Sequence, residues 1–264
     1  MTGQRPGGGG QPGSVLELTG LRVGYRKTSV MAPVSERAQP GRVTVLLGPN
    51  GSGKSTLLRT IAGLQPALAG TVRLGEVDLL SMDPRARARE LAVVLTDRFE
   101  VGLLLGGDVV ALGRHPHQGA GASLKQADRS AMAAALAAVH AEDLAGRRLA
   151  EMSDGQRQRI LIARALAQEP SLLLLDEPSA FLDAPSRIEL LAVLRRIAAE
   201  RHIPILVSTH DVEAAIRAGQ DGWVIDRGVI RSGPVDALAQ KVIGESFDTP
   251  AVRFHPADAT FRLR

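Results

Sequence analysis

At 264 residues, with 44% hydrophobic and 23% charged side chains, the chain has the make-up of a globule with one large core, or one domain carrying a smaller subdomain. Zero cysteines exclude disulfides and thiolate metal sites; no run approaches the ~18 apolar residues of a membrane span and the start lacks a signal-peptide pattern, so the expectation is a chain that neither spans a membrane nor is exported. The net charge of +4 is scattered and only 3% of residues are aromatic, which argues against nucleic-acid binding but leaves room for a basic face toward anionic lipid or an acidic partner loop.

Residues 1–14, with Pro6, Gly7 to Gly10 and Pro12, read as a disordered lead-in. From Val15 to Leu18 and again from Leu21 to Tyr25 the residues alternate like strands of a half-exposed sheet. Val43 to Leu47 is a continuous apolar run, and Leu57 to Ile61 reads as a helix. Between them stands Gly48-Pro49-Asn50-Gly51-Ser52-Gly53-Lys54-Ser55-Thr56. Strand, glycine-rich loop and helix, in that order, turn G-x-x-x-x-G-K-S into a phosphate site. The glycines let several backbone N–H groups point at one anion, and the helix N-terminus adds its positive pole. Lys54 is expected at the β- and γ-phosphates and Ser55 on Mg²⁺. The chain has 28 arginines and four lysines, yet a lysine stands where the chemistry needs a slim point charge. An ordinary glycine-rich turn is the plainer alternative.

Gly70 to Leu74 predicts a further strand and Leu91 to Leu95 a short buried one. Between Gly106 and Gln168 the chain turns helical and alanine-rich; Ala131 to Val139 is the clearest helix, and Gly119 to Ser123 reads as a flexible break. Ser153-Asp154-Gly155-Gln156 opens the helix Arg157 to Leu166. Ser at the cap with Gln three residues on is a capping box, and beside a phosphate loop it also makes a second anion-binding helix N-terminus. Leu172 to Leu175 and Ile203 to Val207 are apolar strands ending in polar residues, as parallel strands do when their C-terminal ends carry a site. Asp176, at the end of the first, is assigned to Mg²⁺, and Glu177 to the general base that polarises an attacking water. A helix N-cap with an acidic first turn is the alternative for this pair. His210 follows the second strand, in reach of a γ-phosphate. Gly222 to Asp226 and Val229 to Arg231, split by Arg227-Gly228, predict a hairpin. After Pro234 only short helical pieces are legible, and residues 247–264 carry no assignable pattern. The expected fold class is an α/β core with a helical insertion.

Taken together, GPNGSGKST, SDGQRQRILIARAL, LLLLDEP, SAFLD and VSTHD resemble the ATPase subunit of an ABC transporter over roughly residues 15–240. The resemblance implies a P-loop ABC-type core with an N-terminal antiparallel β subdomain, a helical subdomain inserted at about 97–168, and a C-terminal extension, 241–264. It makes Gly48 to Thr56 the Walker A loop, Ser153 to Gln156 the signature, Asp176 the Walker B aspartate, Glu177 the catalytic glutamate and His210 the switch histidine. Ser179 to Asp183 becomes the loop that crosses the dimer interface, and Tyr25 the aromatic under the adenine ring. It further implies ATP and Mg²⁺, and a head-to-tail homodimer in which the signature helix of one copy closes over ATP on the other. The implied partners are membrane permease subunits, on whose cytoplasmic side the chain would sit, and through them a substrate-binding protein.

Two positions depart from the family pattern. Asp154 replaces the second residue of Ser-Gly-Gly, where a carboxylate near a γ-phosphate is unwelcome unless it points outward and caps helix amides. Thr96 stands at or beside the usual glutamine that touches Mg²⁺; either Thr96 ligates the metal through a shorter arm or Asp97 substitutes. Gly107 to His117, Val94 to Arg98 and Ala180 to Asp183 resemble importer ATPases for ferric siderophores, haem and cobalamin. His115 and His117, beside Pro116 and without carboxylates, read as a solvated or permease-facing loop rather than a metal site. Two rival readings are a soluble ABC-type ATPase acting on DNA or ribosomes and a poorly hydrolysing regulatory subunit. The first would carry a coiled-coil insertion or paired cassettes, which this chain lacks; Glu177 and His210 argue against the second.

Overall fold

The computed structural model describes residues 13–96, 103–119, 123–248, 250–256, 258 and 260–264. The chain enters through β1 (Leu16–Arg22), the short ribbon β2 (Gly24–Tyr25) and β3 (Thr28–Ser29), and β4 (Arg37–Ala38). β1 buries Leu16, Leu18 and Leu21, the change of parity falling at an irregularity in its register between Thr19 and Arg22. β5 (Val43–Leu47) and α1 (Lys54–Ile61) follow, then β6 (Ala69–Leu74) and β7 (Val77–Asp78). β4, β1, β6 and β7 pair in that order into an antiparallel sheet.

α2 (Pro84–Glu90) was not expected from apolar periodicity. It forms because the Asp83 carboxylate accepts from the Arg85 and Ala86 amides and proline occupies the first turn, where its missing N–H is no loss. β8 (Leu91–Val94) leads to α3 (Gly106–Leu112), α4 (Gln126–Ala138) and α5 (Asp154–Ala167), which pack together around Val109, Leu136, Ile160 and Leu166. The glycine-containing break before α4 lies partly outside the described residues, as do Asp97, Arg98 and residues 1–12 of the lead-in. At the foot of this group Arg114, 5% exposed, binds Asp128 at 2.9 Å, Glu169 at 2.7 Å and the Ala167 carbonyl at 2.6 Å.

The remaining core elements are β9 (Leu172–Asp176), α6 (Ala184–Arg201), β10 (Ile205–Thr209), α7 (Val212–Ala218), β11 (Asp221–Asp226) and β12 (Val229–Pro234). The main sheet runs β12-β11-β5-β10-β9-β8, parallel throughout except for β12. β5, β9 and β10 are buried at every residue, the pattern of strands covered on both faces. Their alternate residues feed two cores: Leu173 and Leu175 face the helices, Leu172 and Leu174 face α1 and the antiparallel sheet. The predicted hairpin is present as β11–β12, turning on Arg227 and Gly228, both at positive φ as a two-residue turn requires.

After Pro234 the expected short helical pieces are present, and the stretch that carries no assignable pattern holds a two-stranded ribbon. α8 (Val235–Leu238) runs through a π-helical turn (Ala239–Ile243) into α9 (Gly244–Phe247), and β13 (Val252–His255) pairs antiparallel with β14 (Thr260–Leu263). Phe254 is buried and packs against Phe261 with the rings tilted, 5.0 Å between centroids.

Candidate functional site

Sheet register assembles the site. Thr209 lies opposite Leu47 and Ser208 opposite Asp176, so β5, β9 and β10 end level with one another. Gly48 to Gly53, the pair Asp176–Glu177 and His210 therefore emerge at one edge, the C-terminal edge where open parallel sheets place ligands.

The loop after β5 is a cradle built to exclude side chains. A Cβ on Gly48 would lie 2.6 Å from the Ser52 hydroxyl and 3.1 Å from Ile225. Gly53, at φ 100°, precedes α1 in a conformation that an L side chain rarely adopts. Lys54 is 6% exposed; its ammonium folds back to donate to the Gly48 carbonyl at 2.8 Å and the Pro49 carbonyl at 3.3 Å. Ser52 Oγ is buried with no partner, and Asn50 and Gly51 form the exposed rim. An unmatched buried hydroxyl beside a charged lysine, at the N-terminus of an eight-residue helix, is what a bound phosphate would satisfy. Thr56, in the first turn of α1, contacts the Tyr25 hydroxyl at 3.2 Å, and Tyr25 is 54% exposed.

Asp176 is 2% exposed, and its Oδ1 accepts two hydroxyls: Ser208 at 2.6 Å and Ser55 at 3.0 Å. Ser55 Oγ and the Asp176 carboxylate are hard oxygen donors in contact, a set that suits Mg²⁺. Thr96, just past β8, donates its hydroxyl to the Asp176 main-chain carbonyl at 2.7 Å. Glu177 follows at φ 48°, in the left-handed region that non-glycine residues seldom occupy. Its Oε2 contacts His210 Nδ1 at 2.6 Å and its Oε1 lies 3.7 Å from Lys54 Nζ. A carboxylate held between a lysine and a histidine beside a phosphate cradle can accept a proton from water directed at that phosphate.

Ser153, Gly155 and Gln156 stand apart from this cluster. Ser153 Oγ accepts from the Gln156 amide at 3.2 Å and Gln156 Oε1 from the Ser153 amide at 3.1 Å, so the capping box is formed. These residues line a groove with Leu182, Ser186 and Glu189, and no residue of the phosphate loop borders it. Asp154 turns to Arg157 at 3.0 Å; the amides are capped by Ser153, not by Asp154. Asp183 caps α6 from an exposed position, and hydrogen bonds from the Ser186 hydroxyl and amide hold its carboxyl below the usual range. His117 is spent on the Gln168 carbonyl at 2.8 Å.

Two participants escaped sequence reasoning. Ser208 bonds both Asp176 and the Glu177 amide, a role visible only from cross-strand register. Arg187 donates to the Leu182 carbonyl at 2.8 Å and to Asp211 at 2.9 Å, tying the segment before Asp183 to the residue after His210. One weak signal was available: Asp211, directly after the histidine, is itself a helix cap.

A sequence profile described as ABC transporter matches residues 31–180, more than half of the chain. An uncharacterized ABC transporter ATP-binding protein of Methanocaldococcus jannaschii is 39% identical over 252 residues, 95% of this chain and 87% of that one. The iron(3+)-hydroxamate import ATP-binding protein of Bacillus subtilis is 33% identical, with 89% of this chain and 88% of that one covered. Among solved structures, a bacterial ABC transporter cassette in its dimeric form superposes with a TM-score of 0.71 at 25% identity, covering 83% of this chain and 98% of that one. Cradle, carboxylate pair and lineage agree: the chain belongs to the ABC transporter family and is an ATP-binding subunit that hydrolyses ATP.

Proposed function

We propose that the chain energises import of an iron complex, a ferric siderophore or haem, or of cobalamin, through a membrane permease, and that it works as a homodimer with ATP at the subunit boundary. The observation that supports the dimer is the separation of Ser153–Gln156 from Lys54 and Glu177: the capping box opens one helix, the lysine cradle precedes another, and one protomer does not join them. A second copy turned head to tail would present the helix N-terminus at Ser153 to the phosphates held on Gly48 to Thr56. The importer reading draws on the iron(3+)-hydroxamate import relative and on the helical segment Gly107 to His117. Residues 15–240 are taken as the ATPase domain, with 97–168 as its helical insertion and 241–264 as an extension.

In this reading Tyr25 stacks on the adenine, the loop amides and Lys54 hold the β- and γ-phosphates, and Asp183 reaches the partner's nucleotide. The Mg²⁺ that Ser55 and Asp176 would hold supplies charge neutralisation at the phosphate oxygens. Glu177 takes the proton of the attacking water as its oxygen bonds the γ-phosphorus, and the bond to the β-phosphate oxygen breaks with its electron pair leaving on ADP. His210 keeps the Glu177 carboxylate turned toward the phosphate and donates to the γ-phosphate. With no helix among the described residues long and apolar enough to cross a membrane, attachment at the inner face would come from the permease.

Uptake of labelled ferric siderophore, haem and cobalamin by cells lacking this protein tests the proposal. Complementation with wild type, and not with Glu177→Gln, is expected to restore one compound. Restoration of none of the three would remove the importer assignment while leaving the ATPase intact.

A further inference from the structure

The peptide unit joining Asp176 to Glu177 is held at both of its polar ends. Its carbonyl accepts from Thr96 Oγ1 at 2.7 Å. Its N–H, on Glu177, donates to the Ser208 carbonyl at 3.1 Å and the Ser208 hydroxyl at 2.9 Å. The peptide plane is therefore pinned from β8 on one side and β10 on the other. This is also where restraint is needed, since Glu177 sits at φ 48°, a conformation that a β-carbon disfavours and that persists only where surroundings over-determine it. Rotation of this plane would swing the Glu177 carboxylate away from His210 Nδ1 and Lys54 Nζ.

We propose that Thr96 is a positioning residue for Glu177: its hydroxyl fixes the Asp176 carbonyl, and so the direction of the general base, instead of serving as a metal ligand. Its hydroxyl is bonded to the main-chain carbonyl of Asp176, whereas the carboxylate oxygen Oδ1 accepts from Ser55 and Ser208. The pair that would hold a metal is Ser55 with the Asp176 carboxylate. Thr96 is itself exposed at the end of β8, so its substitution perturbs no core packing, and the effect on Glu177 can be read separately from stability. The inference rests on Glu177 acting as the base, and the test separates the two.

Purified wild type, Thr96→Val, Thr96→Ala, Thr96→Ser and Glu177→Gln are compared in ATP turnover as ATP and Mg²⁺ are each titrated, with nucleotide affinity measured by fluorescence. Thr96→Val, close in shape but unable to donate, is expected to lower kcat about fivefold, the factor carried by one modest hydrogen bond, with KM for ATP and half-saturating Mg²⁺ unchanged. Thr96→Ser, which keeps the donor, is expected within about twofold of wild type. Thr96→Ala must follow Thr96→Val, which guards against an effect of the valine itself. The proposal is overturned by wild-type turnover in Thr96→Val or Thr96→Ala, by equal loss in Thr96→Ser, or by a raised Mg²⁺ requirement in Thr96→Val, which would make the residue a metal ligand. Should Glu177→Gln turn over like wild type, the base assignment falls, and the positioning role falls with it whatever the Thr96 variants do.

Discussion

Lys54 shows how much of the site one side chain organises. Its buried ammonium donates to two loop carbonyls and stands near the Glu177 carboxylate, so the loop is already curled around a charge. In the proposed function this cation is the charge that meets the phosphates. Lys54→Met keeps the apolar stem and removes the charge. We expect it to stay folded and to weaken ATP binding by at least about tenfold, the scale of one charge-assisted hydrogen bond. A fluorescence titration giving wild-type affinity would refute the role. The local spacing of Gly48, Gly53, Lys54 and Ser55 made this part legible in the sequence, because one strand-to-helix turn holds all of it. Ser208 and Arg187 were not legible, because their partners lie 32 and 24 residues away in the chain and meet only through sheet register and the packing of α6.

At the scale of elements, continuous apolar runs marked the strands buried on both faces, while a helix that rests on its cap was not marked. α2 reads Pro-Arg-Ala-Arg-Ala-Arg-Glu and has no apolar stripe; Asp83 and the proline make it a helix. The C-terminal hairpin was missed for a related reason. Val252–His255 and Thr260–Leu263 are four-residue strands whose apolar content is concentrated in Phe254 and Phe261, too short for a period to declare itself. The helical group depends on a buried ion pair that the sequence does not announce. The Lys125 amide, and then Arg114, hold the Asp128 carboxyl below its usual range. A carboxyl depressed in the folded state stabilises above its unfolded pKa of about 4, and that contribution is lost as pH falls through the folded value. Asp128→Asn is therefore expected to lower stability at pH 7 by about 2–3 kcal/mol, from a nearly buried pair, and to flatten the acid limb below about pH 4. Chemical denaturation at a series of pH values measures both; parallel wild-type and mutant acid limbs would contradict the linkage.

For the whole molecule, the separation of the Ser153 helix start from the Lys54 cradle, read as two halves of one proposed site, predicts association controlled by nucleotide. Glu177→Gln with ATP is expected to run as a dimer by size exclusion with light scattering, and the same protein with ADP as a monomer. Adding Ser153→Ala is expected to reduce the dimer while monomer affinity for ATP changes less than about twofold, since the Ser153 hydroxyl and its Gln156 partner lie away from Lys54. Equal loss of dimer and of nucleotide affinity would mean that Ser153 acts only as the helix cap.

The sequence by itself determined the phosphate loop, the carboxylate pair and the α/β class, because each is written in contiguous residues whose backbone demands are local: glycines at a tight turn, apolar runs for strands buried on both faces, a serine–glutamine box at a helix start. What the tertiary structure alone decided is which of these meet. Register between β5, β9 and β10 brings Lys54, Glu177 and His210 together and leaves Ser153 to face elsewhere. With the β8–β9 pairing, register also brings Thr96 and Ser208 to opposite ends of one peptide unit. Register is set by the packing of two cores against both faces of a sheet, an interaction between residues far apart in the chain, and no local pattern carries it.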